Sequence, residues 1–190
     1  MSTPSFTWSE LEEYRKTGHV TRRDLFKRST IQSVLDDLTL WSGQFVDTLD
    51  PDEEKWFLER GDGNGKALRK LDHPAFHREP FRELATHTSL KPLIEQLLGS
   101  PCHLFFSQVF MKPPEAGSPK PIHQDNFYWC IDDANAITMW IAMDKAGAKN
   151  GGVYYYVGSH KLGLLEHKPS CAPGSSQTIK YPNLLYLSVI

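Results

Sequence analysis

Cysteine is scarce in this 190-residue chain: Cys102, Cys130 and Cys171 are an odd number at wide spacings, with no CxxC pair. That pattern excludes a dense disulfide framework and fits a reducing, cytoplasmic setting. Long apolar runs are missing as well. No stretch of about 18 uncharged apolar residues occurs, and the opening MSTPSFTWSELEEYRK lacks the basic start and apolar run of a secretory signal. A soluble protein with no membrane partner is expected. Nor does charge of one sign dominate: 21 Lys+Arg against 23 Asp+Glu give a net charge of −2, which supplies no field to gather nucleic acid. Arginine ends at Arg82 and histidine at His167.

What is present suits a single domain over residues 1–190, helical over 1–100 and strand-rich over 101–190. Thr7-Trp8-Ser9-Glu10 has the spacing of a capping box, Leu11 and Tyr14 share a helical face, and Gly18 is a natural stop. Ile31, Val34, Leu35, Leu38, Trp41 and Phe45 recur at steps of three and four, which predicts a longer amphipathic helix with its stripe against a core. Residues 50–70 (DPDEEKWFLERGDGNGKALRK) are charged and glycine-bearing and are expected to form an exposed excursion with little regular structure. Ser89 is placed to cap a helix over Leu90 to Leu98, with Gly99 ending it.

Beyond Pro101 the runs are short and rich in β-branched and aromatic residues: CHLFFSQVFMK, PIHQDNFYWCI, AITMWIAM, GGVYYYV and NLLYLSVI. Five strands are predicted, joined by the turn-forming PPEAGSPK, DDAN, KAGAKNGG and KPSCAPGSS. The second of these runs carries ionisable residues at its centre. On a strand His123 and Asp125 point to one face while Gln124 points to the other, so an imidazole nitrogen and a carboxylate oxygen converge as two members of a 2-His-1-carboxylate face. The competing explanation is a core histidine bonded to an aspartate. With 8 His in the chain the tripeptide alone is weak, and His77-Arg78-Glu79 has the same form in a charged, Pro-bounded stretch.

The wider context separates the two. MKPPEAGSPKPIHQDNFYW followed by AITMWIAMDKAGAKNGGVYYYVGSHKLGLLEH resembles the phytanoyl-CoA dioxygenase family of Fe(II)- and 2-oxoglutarate-dependent oxygenases, and YRKTGHVTRRDLF resembles the family's opening helix and turn. The resemblance implies a mostly β fold with N-terminal helices, a double-stranded β-helix (jelly roll, cupin-like) that is incomplete in this chain. It implies Fe(II) and 2-oxoglutarate as cofactors, with His123 and Asp125 as the first two metal ligands. Gln108 and Trp140 fall where family members line the co-substrate pocket, although Trp140 between Met139 and Ile141 also suits an ordinary core position. Tyr128 and Trp129 are expected on the substrate side. Halogenating relatives have a small residue at the place of Asp125, so its carboxylate favours hydroxylation of a small organic or acyl substrate by molecular oxygen.

Two departures accompany the match. Val157 stands where the family has proline before the Gly158-Ser159-His160-Lys161 signature, in which His160 is expected to be structural. The family's distal histidine and the arginine that grips the far carboxylate of 2-oxoglutarate have no counterpart: His167 follows Gly158 too closely, and Lys180 offers only a point charge. Five strands instead of about eight point the same way, to a truncated jelly roll. The alternative function is therefore a non-catalytic jelly-roll module that binds a small molecule, or one that regulates or dimerises through an open sheet edge.

Overall fold

The computed structural model describes residues 3–59, 67–115, 117–131, 135–172, 175–181 and 187–189. The helical first half follows from its punctuation. Helix α1 (Trp8–Thr17) starts in the capping box, with Glu10 N–H donating to the Thr7 hydroxyl and Thr7 N–H to the Glu10 carboxylate, and ends at Gly18 in the left-handed conformation. Upstream of it, Phe6 N–H donates to Gln96 Oε1 at 2.6 Å, and Gln96 Nε2 donates back to Phe6 O at 3.0 Å.

Helix α2 (Arg28–Val46) carries the predicted stripe. Val34 is buried with Phe81, Leu84 and Val109, and Ile31 and Leu38 pack on them. One turn further along, Trp41, Phe45 and Val46 cover a second cluster of Leu58, Leu68 and Leu71. The charged segment after α2 is therefore more ordered than its composition predicts. Asp50 caps α3 (Pro51–Phe57), Leu58 bridges Leu68, and Glu59 and Arg69 are themselves buried; residues 60–66 lie outside the described residues. The apolar leucines set among the charges pull the ends of the excursion onto α2.

Strand β1 (Lys70–Asp72) pairs antiparallel with β2 (Gln108–Phe110) in the register Lys70↔Phe110, Leu71↔Val109, Asp72↔Gln108. Alternation then sends Leu71 and Val109 into the core and leaves Lys70, Asp72, Gln108 and Phe110 on the opposite face. Between the two strands run α4 (Pro74–His77), α5 (Glu79–Ala85) and α6 (Leu90–Leu98), the last ending at Gly99 as predicted. Ser89 precedes it but makes no side-chain cap.

The second half departs from the mostly β, jelly-roll expectation. Helix α7 (Asn126–Trp129), β3 (Tyr154–Tyr156), a 3-10 turn (Ser159–Leu162), β4 (His167–Pro169), β5 (Gln177–Ile179) and β6 (Leu187–Val189) follow, and the strands form only two-stranded ribbons, β1–β2, β3–β6 and β4–β5. No closed barrel or pair of facing sheets occurs among the described residues. Of the five predicted strands, CHLFFSQVFMK yields β2 and GGVYYYV yields β3, while PIHQDNFYWCI turns into α7 and AITMWIAM pairs with nothing among the described residues. NLLYLSVI falls mostly outside them, with β6 at its end. The reason is local: proline brackets several runs, and aromatic content marks burial as readily as it marks a strand. Among the described residues no helix is long and apolar enough to cross a membrane.

Candidate metal centre

His123 and Asp125 do converge, although by a different route from a strand. Asp125 is helical (φ −58°, ψ −37°) at the start of α7, and the turn swings its carboxylate back toward the imidazole, leaving His123 Nε2 3.3 Å from Asp125 Oδ1. The segment is held from outside by the β4–β5 ribbon. Ile179 N–H and the Thr178 hydroxyl both donate to Ile122 O, at 2.9 and 3.0 Å. Gln124, between the two candidate ligands, donates from Nε2 to Gly163 O at 2.8 Å and accepts at Oε1 from Leu165 N–H at 2.7 Å. Its backbone N–H donates to His167 Nε2 at 3.2 Å, and the His167 ring stacks on Phe127 with centroids 4.2 Å apart.

The tautomer of His123 is fixed by Pro121, whose carbonyl accepts from Nδ1–H at 2.7 Å. In the neutral ring Nε2 then presents a lone pair to a carboxylate oxygen, acceptor against acceptor. The contact is favourable only when positive charge sits on Nε2 or between the two atoms. Two ligand atoms at right angles on ~2.1 Å bonds stand about 3 Å apart, so the 3.3 Å separation suits adjacent positions on one cation. Burial pushes the Asp125 carboxyl up, but hydrogen bonds from a His123 protonated at Nε2 and from Thr138, with the charges of that imidazolium and of Lys120, outweigh it and hold the group below the usual carboxylate range. These residues therefore fit two positions of a metal site. Among the described residues no group of three or more His, Cys, Asp or Glu is arranged to hold a metal ion.

Other predicted site residues are distributed unevenly around the pair. Tyr128 stands edge-on to the His123 ring at 6.1 Å. Trp129 turns to Phe105 and Phe106 instead, at 6.0 and 6.4 Å. Gln108 donates to Asp72, which also binds Lys70 at 2.7 Å. Lys120, whose Nζ lies 5.5 Å over the Phe110 ring, connects that face to the pair: burial, Lys70 and Arg69 lower its pKa, while Asp125 and Asp72 act against them. Trp140 is 43% exposed, which argues against an ordinary core position.

Other histidines of the sequence motifs have structural contacts. His167 is engaged at both nitrogens, with Nδ1–H donating to Leu165 O at 2.8 Å. His160 donates from Nε2 to Arg15 O at 3.1 Å, while Gly158 N–H donates to Thr17 O, so the glycine-serine-histidine signature caps the C-terminus of α1. In the His77-Arg78-Glu79 decoy, His77 packs near Trp41 and Arg78 binds Asp37. Lys180 is tied to Glu166. Sequence reasoning missed Thr138, whose hydroxyl donates to Asp125 Oδ2 at 2.6 Å, and Tyr155, which stacks on His19 and is pushed up by burial and by the charge of Asp125.

The family model for phytanoyl-CoA dioxygenase (PhyH) matches residues 14–180. A probable alpha-ketoglutarate-dependent hypophosphite dioxygenase from Stutzerimonas stutzeri is 24% identical over 82% of the chain and 54% of its own length. A methylphosphonate hydroxylase from Gimesia maris is 26% identical over 85% of the chain and 60% of its own length, and an L-proline trans-4-hydroxylase from Streptomyces griseoviridis is 33% identical over 57% and 41%. The chain thus spans about half the length of the curated relatives it matches. Alpha-ketoglutarate-dependent dioxygenases of this kind use Fe(II) and 2-oxoglutarate. With the match covering most of its length, the chain belongs to the phytanoyl-CoA dioxygenase family.

Proposed function

We propose that this chain contributes His123 and Asp125 as two iron ligands of an Fe(II)- and 2-oxoglutarate-dependent hydroxylase acting on a small molecule. The observation that carries the reading is His123 Nε2 facing Asp125 Oδ1 at 3.3 Å while Nδ1 is held by the Pro121 carbonyl. Iron and 2-oxoglutarate, when bound, supply the oxidation: 2-oxoglutarate loses carbon dioxide to become succinate, and oxygen enters the substrate as a hydroxyl group. The protein's part is to orient. Pro121 aims the imidazole, Gln124 clamps the ligand segment to residues 163–165, and Tyr128 flanks His123 where substrate would approach. Asp125 fills the place that halogenation would leave open, which favours hydroxylation. Gln108 reaches a co-substrate only by releasing Asp72, and the exposed Trp140 is free to cover one.

A second reading, a non-catalytic small-molecule-binding or regulatory module, is favoured by one observation: the absence of a three-ligand group among the described residues. Calorimetric titration with Co(II) as a stand-in for Fe(II) separates the two. The hydroxylase reading expects one saturable site in the parent chain that His123→Ala abolishes. Equal binding by parent and variant, or none by either, supports the module instead.

A further inference from the structure

Thr138 lies thirteen residues beyond Asp125, in a segment that carries no ionisable side chain between Ala136 and Met143. Its hydroxyl donates to Asp125 Oδ2 at 2.6 Å, a short bond of the kind a charged acceptor makes. The other carboxylate oxygen, Oδ1, is the one turned toward His123 Nε2. Asp125 is thus divided between two partners, one oxygen on each. Further along the same segment, Ile141 and Met143 pack against the cluster of Val34, Phe81, Leu84 and Val109 and so anchor it to the core.

We infer that Thr138 is a positioning residue that holds Asp125 one-armed, reserving Oδ1 for the metal and keeping Oδ2 off it. The inference rests on the hydroxylase reading above. Its chemical consequence is a free coordination position. A carboxylate released from Thr138 can rotate and close on a cation with both oxygens, occupying a place that a co-substrate or oxygen needs. A carboxylate also held by a hydroxyl is pre-aimed, so ordering costs less when the metal binds. Gln124 does the corresponding work on the backbone, while Thr138 acts on the ligand atoms themselves.

The test uses Thr138→Val, which keeps the branched shape and removes the hydroxyl, and Thr138→Ser, which keeps the hydroxyl. Both are titrated with Co(II) by calorimetry and by visible absorption, beside the parent chain. The expected result is a loss of about 10- to 100-fold in Co(II) affinity for Thr138→Val with an altered d–d spectrum, and recovery of both in Thr138→Ser. A melting temperature shared by the three proteins assigns the loss to the site. Should Thr138→Val not fold, Thr138→Ala makes the same comparison. Parental affinity and spectrum in the hydroxyl-less variant overturn the inference while leaving the hydroxylase reading standing, and so does a Thr138→Ser variant that behaves like Thr138→Val. A parent chain that binds no Co(II) overturns both.

Discussion

Gly18 joins the first helix to the family signature some 140 residues away, and replacing it separates two energetic terms. Its φ of 89° lies in the left-handed region, and a Cβ built there would sit 2.5 Å from His160 Nδ1 and 2.9 Å from its Cγ. The conformation costs an alanine about 1–2 kcal/mol, offset by about 0.4–1 kcal/mol from the less flexible unfolded chain, leaving about 1 kcal/mol. Expelling the His160 ring also breaks its 3.1 Å bond to Arg15 O, worth about 0.5–1.5 kcal/mol, so Gly18→Ala is expected to cost about 2 kcal/mol in all. Gly99 supplies the control. It ends α6 at φ 72° with nothing within 4 Å of a built Cβ, so Gly99→Ala should cost only about 1 kcal/mol. Urea unfolding of both variants, repeated for Gly18→Ala in a His160→Ala background, measures the difference. About 1 kcal/mol of coupling between positions 18 and 160 is predicted. Equal costs at the two glycines, or no relief on removing His160, would refute the docking of the signature on α1.

Two further outcomes follow from the packing. Leu71 is fully buried beneath α2, and Leu71→Ala should lower stability by about 2–5 kcal/mol in the same urea assay, whereas a cost under about 1 kcal/mol would mean that β1 does not face the core. Gln96→Ala removes both bonds that hold Phe6 to α6, and the Phe6 amide should lose hydrogen-exchange protection while amides in the middle of α2 keep theirs; unchanged protection at Phe6 would place the N-terminal segment elsewhere.

The first half of the fold was readable because helix ends and helix faces are written locally. Thr7 and Glu10, Gly18, the stripe of α2 and Gly99 each act within a few residues of where they stand. Residues 50–70 misled because charge outweighed the scattered leucines, yet Leu58 and Leu68 close a core cluster whose other half comes from α2. In the second half, aromatic runs bounded by proline look like strands whether or not a partner lies alongside, and strand pairing depends on segments far away in sequence. The candidate site shows the same split. His123 and Asp125 were legible from spacing, and the structure brings them together through a helical turn that period-two reasoning did not foresee. Thr138, Lys120 and Gln124's clamp were not, because each depends on a tertiary contact that no local pattern announces.

The role proposed for His123 and Asp125 is to hold iron for 2-oxoglutarate chemistry. Anaerobic addition of Fe(II) and 2-oxoglutarate to the folded chain, watched for the visible metal-to-ligand charge-transfer band that chelation by 2-oxoglutarate produces, tests it most directly. A saturable band is expected in the parent protein, and its disappearance in His123→Ala and in Asp125→Ala. A folded parent with no band, or a band that survives both substitutions, would contradict that role.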